Sequence, residues 1–85
     1  MPNKNKDKRI KENIVAISIN AGHLVSEGKF IPDDSATFYA EIIRLAEEFE
    51  EMYTEEQLEG DYLGKIDNFA EKKLLEFYGI LDIEN

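Results

Sequence analysis

Residues 34–53 read DSATFYAEIIRLAEEFEEMY, and the fold turns on this stretch. Phe38, Ile42, Leu45, Phe49 and Met52 recur at steps of four, three, four and three, the period of one helix face. Tyr39, Ile43, Ala46 and Tyr53 form the adjacent row. Together the rows make an apolar face wide enough to touch two neighbours, so this helix is expected at the centre of the domain. Asp33 or Asp34 is the expected N-cap, because a short carboxylate there accepts from the free N–H groups of the first turn.

The other flank of the same stretch is acidic. Glu41, Arg44, Glu48, Glu51 and Glu55 follow one stripe, with Glu47 and Glu50 beside it. Glu47–Glu51 and Glu51–Glu55 are like-charge pairs one turn apart, each costing roughly a few tenths of a kcal/mol. A helix selected for stability alone would carry lysines among them. From Asp33 to Asp61 there are eleven acids and one base, Arg44. The first twelve residues lean the other way. Five bases against two acids give +3, and the chain's net charge of −9 leaves −12 for the rest. Charge this uneven constrains partners more than it constrains the fold.

Working toward the N-terminus, Ile10, Ile14, Ile17, Ala21 and Leu24 form a second helical stripe, with Val15 and Val25 widening it. Asp7 is the expected N-cap and Gly28 the expected C-terminal cap. Residues 1–6 read as a frayed basic arm. An alternative exists here. Val15, Ile17 and Ile19 also alternate with polar or small residues, and β-branched side chains favour strands. A short hairpin within residues 13–31 would make the protein α+β. The connector Phe30-Ile31-Pro32 separates the two helices, since Pro32 keeps Ile31 out of the helical region.

Toward the C-terminus, Thr54 and Gln57 match a capping box, so the central helix ends near Tyr53. Gly60 marks a bend. A third helix is predicted from about Asp61 to Tyr78, with Tyr62 or Leu63, Ile66, Phe69, Ala70, Leu74, Phe77 and Tyr78 inward. Lys72 and Lys73 suit the dipole of its C-terminal half. Gly79 followed by Ile80 fits a Schellman ending. Residues 7–85 therefore read as one all-α domain, an antiparallel three-helix bundle.

Size and composition exclude several classes. The chain has 85 residues and no cysteine, so neither disulfides nor thiolate metal sites can staple it. No run approaches the ~18 apolar residues of a membrane span. The basic start followed by Ile14–Ile19 imitates a signal peptide, but Asp7, Glu12, Asn20 and His23 spoil the match. A cytoplasmic location is expected. Richness in Lys, Asn, Ile and Glu points to a low-GC bacterial or phage genome.

No motif specifies a reaction. His23 is the single histidine, and with Glu27 one turn away it makes two ligands, short of a metal site. Asp61, Asp67, Asn68 and Glu71 do not match a calcium loop. No serine or threonine has a visible base partner, and no glycine-rich phosphate loop occurs. No enzyme activity, catalytic residue, cofactor or metal is expected. The third helix lacks the Arg, Asn and Gln set that reads base edges, so the main body is not expected to bind nucleic acid directly.

What remains is a small protein-binding or regulatory module. Its expected contact surface is Glu41, Glu47, Glu48, Glu50, Glu51 and Glu55, and its expected partner is another protein with a basic surface. An inhibitor that mimics nucleic acid and a purely structural oligomerisation unit are the alternatives. Phe30, Ile80, Leu81 and Ile83 exceed what a small core readily covers, which points to self-association as a homodimer. Tyr39, Tyr53, Tyr62 and Tyr78 are expected at the edges of the buried faces.

Overall fold

A computed structural model describes residues 3–53 and 60–78. They form three helices, α1 (Asn3–Ser26), α2 (Ser35–Met52) and α3 (Tyr62–Tyr78), with no strand among the described residues. Contacts between Arg9 and Glu50 and between Asn13 and Ala46 set α1 antiparallel to α2. Those between Asn13 and Tyr62 and between Asn20 and Asp67 set α1 parallel to α3. The protein is an all-α three-helix bundle with consecutive helices antiparallel.

Residues 13–26 are helical throughout, so the hairpin alternative is overturned. Side-chain direction explains why. Asn13, Ile17, Ala21 and Leu24 all face inward, whereas Val15 and Ile19 are each 58% exposed. A strand would have put Val15, Ile17 and Ile19 on one face. The helix also begins at Asn3, ahead of the expected cap at Asp7, so residues 3–6 are helical. Lys6 reaches Glu51 at 3.2 Å and Arg9 reaches Glu50 at 2.7 Å. These contacts across the helix pair hold the start of α1 against the end of α2.

The end of α1 follows the sequence closely. Gly28 takes φ +78, a left-handed conformation that costs an L side chain roughly 1–2 kcal/mol. Its N–H donates to Val25 O at 3.0 Å, and Lys29 N–H donates to Leu24 O at 2.9 Å, the paired bonds of a Schellman ending. This turn delivers Phe30 into the bundle. Its ring stacks on Tyr78, with centroids 4.7 Å apart, and lies 6.1 Å from Phe38. Asp34 then caps α2, its carboxylate accepting from Ala36 N at 3.3 Å and Thr37 N at 3.2 Å. Hydrogen bonds from the Thr37 side chain, then from the backbone, hold this carboxyl below its ordinary pKa. The α2 helix stops at Tyr53, which is extended. The expected capping box at Thr54 and Gln57, and the ending at Gly79 and Ile80, lie outside the described residues. Gly60, with φ +85, makes the turn into α3.

The core joins Ile17, Ala21 and Leu24 of α1 to Leu45, Ala46 and Phe49 of α2 and to Ile66, Phe69, Ala70 and Leu74 of α3. Each large apolar side chain buried here contributes roughly 1.5–3 kcal/mol. Phe49 is the aromatic centre, with ring centroids 4.8 Å from Tyr53, 5.3 Å from Phe69 and 6.1 Å from Tyr62. The expected central helix is corrected. α1 packs along both neighbours, while α2 and α3 touch sparsely. The small, fully buried Ala21 allows close approach to α1. On α2, the outer row is left uncovered at Tyr39, which is exposed. The side of the bundle away from α1 is therefore open between α2 and α3.

Candidate functional site

The acids of α2 do not form one free face. Glu41 is 6% exposed, and the Arg44 guanidinium grips both its oxygens, at 2.6 and 3.1 Å. The same guanidinium donates to Glu48 Oε1 at 3.1 Å, and Glu48 Oε2 lies 3.7 Å from Lys73 Nζ of α3. The Glu50 side chain is 7% exposed and paired with Arg9. Glu51 remains 68% exposed although Lys6 touches it. Glu47 is exposed, and among the described residues no cation is paired with it. Glu55 lies outside the described residues.

The uneven charge of the sequence is thus partly cancelled inside the fold. Antiparallel packing lays the basic start of α1 beside the acidic end of α2, so Arg9 and Lys6 are counter-charges to Glu50 and Glu51. A buried carboxylate needs such a partner, because an unpaired charge out of water costs several kcal/mol. Phe30, expected at a self-association surface, is 1% exposed and belongs to the core. Its ring fills the end of the bundle against Tyr78 and Phe38, because the Gly28 turn points it inward. Ile80, Leu81 and Ile83 lie outside the described residues.

Sequence reasoning missed a polar junction at the centre. Asn13 is 2% exposed. Its Nδ2 donates to Ala46 O at 3.1 Å, and Tyr62 Oη donates to its Oδ1 at 2.7 Å. One side chain therefore links all three helices. The spacing held the signal: position 13 is one turn before Ile17, on the buried stripe. Burial, then the charges of Glu12, Glu50 and Asp67, push the Tyr62 phenol up to about 12.

Tyr78 is the contrasting case. Its hydroxyl is buried, and among the described residues it has no hydrogen-bond partner. An unsatisfied buried hydroxyl costs about 1–3 kcal/mol. Tyr78→Phe is therefore expected to raise stability by about 1 kcal/mol, measured as a higher urea midpoint with an unchanged m-value. A lower midpoint would show that the hydroxyl is satisfied in solution.

The open side between α2 and α3 holds a cleft of about 430 Å³. Lys65, Asn68, Lys72 and Lys73 line it from α3. Met52 and Tyr53 supply the wall from the end of α2, and the buried Phe69 ring lies at its base. Lys73 Nζ sits 5.9 Å from the centre of that ring. The sequence disclosed Lys72 and Lys73 only as partners for a helix dipole, and gave Lys65 no role. Their convergence depends on how α3 is rotated against α2.

Among the described residues no group of three or more acidic or histidine side chains is arranged to hold a metal ion. None of the described helices is long and apolar enough to cross a membrane. No protein-family model, no curated protein and no solved structure matches this chain.

Proposed function

We propose that this protein is a small, non-enzymatic binding module that docks a basic surface of another protein on the outward edge of α2. Glu47 and Glu51 are the contact residues, with Glu48 beside them. One observation carries the reading. Inward-turned acids have been given cations, Arg44 for Glu41 and Arg9 for Glu50. The exposed Glu47–Glu51 pair keeps its mutual repulsion, with only a surface contact from Lys6. A surface ion pair of that kind is worth roughly 0–1 kcal/mol, so a basic partner can displace it. Complementary charge of this sort accelerates and orients encounter.

The test reverses Glu47 and Glu51 together to Lys and leaves the structural Glu50 alone. The far-UV circular dichroism is expected to stay unchanged. Basic proteins captured from an extract of the source organism by the wild type at low salt are expected to be lost. Capture of the same proteins by the reversed variant would end the proposal.

A further inference from the structure

We propose that the cleft between the end of α2 and the middle of α3 binds a small aromatic phosphate ester, of which nucleoside phosphates are the common kind. This site is lined by different residues from the acidic edge, which it meets only where Lys73 lies 3.7 Å from Glu48. Every base after Arg44 in the sequence, Lys65, Lys72 and Lys73, lines this one cleft. In a chain of net charge −9 these lysines have many carboxylates to choose from. Lys73 alone has one, Glu48, at 3.7 Å. Among the described residues no carboxylate stands within ion-pair distance of Lys65 or Lys72. Asp61, just before α3, lies one turn from Lys65, and Glu76 lies one turn from Lys72, a spacing that favours pairing on a helix, yet among the described residues neither is within ion-pair distance of its lysine.

The charge match selects the ligand. With Lys73 already shared with Glu48, two ammonium groups stand without a carboxylate among the described residues; a carboxylate ligand would bring them one negative charge, whereas a phosphate monoester brings about −1.5 to −2 at neutral pH. Lysine serves phosphate as a mobile point charge. Asn68 adds an amide able to donate and accept. The Phe69 ring, with Met52 and Tyr53 beside it, offers apolar surface for a planar group. The volume falls within the range of roughly 300–1,000 Å³ that holds small ligands. The acidic remainder of the protein does not forbid entry, because exposed charges beyond about 8 Å are largely screened at physiological salt.

The test follows backbone amide signals of the labelled full chain during titration with ADP, adenosine or inorganic phosphate. ADP is expected to shift the amides of residues 52–53 and 65–73, binding at least about tenfold more tightly than adenosine or phosphate alone. Lys65→Ala with Lys72→Ala is expected to weaken ADP about tenfold. Lys8→Ala with Lys11→Ala, on the outer face of α1, is expected to change nothing. Asn68→Asp introduces an opposing charge at an exposed position and tests the same point should the double variant not fold. ADP binding no tighter than phosphate reduces the site to a general anion patch and overturns the proposal. ADP no tighter than adenosine removes the phosphate recognition and also overturns it. Equal loss in the Lys8/Lys11 variant, or shifts confined elsewhere, overturns it as well.

Discussion

Glu50→Lys is expected to destabilise this protein by about 3 kcal/mol, whereas Glu47→Lys is expected to leave it as stable as the wild type or slightly more so. The two glutamates lie one turn apart on the same helix, and a charge count treats them alike. Their surroundings differ. The Glu50 side chain is 7% exposed and lies 2.7 Å from the Arg9 guanidinium of α1. Lysine there would leave two cations facing each other in a part-buried contact, with only the Arg9 side open to water. Breaking a buried pair costs about 3–5 kcal/mol. The whole domain is worth on the order of 4–13 kcal/mol at its size. At Glu47 the substitution removes a repulsion with Glu51 and creates an attraction, a gain of a few tenths of a kcal/mol (roughly 0.2–0.5). Urea unfolding followed by circular dichroism reads both effects as midpoint shifts. Midpoints that agree within error would mean that Glu50 does not lie against α1.

That contrast marks what the sequence can and cannot reveal. The period of Phe38, Ile42, Leu45 and Phe49 defined α2, and Ile42, Leu45, Ala46 and Phe49 are buried as expected, whereas Met52, expected in the same seam, is 49% exposed and Glu41, expected outside, is buried. Gly28 fixed the end of α1, because only a residue tolerant of positive φ suits that turn. These features are local, and local spacing carries them. Glu50 is different. Its place on α2 was legible, but Arg9, 41 positions earlier, is brought to it only by packing. Two residues mark the same limit elsewhere. Phe30 read as surplus apolar surface, since nothing local shows that Tyr78 will receive its ring. Lys72 read as a dipole partner, since the cleft it lines exists only because α2 and α3 stay apart.

Asn13→Ala is expected to cost about 3 kcal/mol, more than an exposed-face substitution by a wide margin. Three losses combine. The bond to Ala46 O disappears, the Tyr62 hydroxyl loses its acceptor, and a small void opens where the helices meet. Tyr62→Phe removes one bond and leaves Asn13 Oδ1 unpaired, a cost of about 1–2 kcal/mol. Because the two residues share a bond, the double variant is expected to cost less than the sum of the singles, by about 0.5–1.5 kcal/mol. Additive losses would show that the bond is not formed in solution. The junction also predicts a pH response. The Tyr62 phenol is pushed up to about 12 from an ordinary value of 10. Below pH 10 it is neutral whether the chain is folded or not, and its contribution is complete. Between about pH 10 and 12 the unfolded chain releases this proton while the folded protein retains it, so stability falls. Tyr78, also raised by burial first, bends stability in the same direction. Tyr62→Phe should therefore flatten the alkaline loss without abolishing it, and Tyr62→Phe with Tyr78→Phe should flatten it further. An alkaline slope unchanged by either substitution would place both phenols in water, and with them the junction that ties α1 to α3.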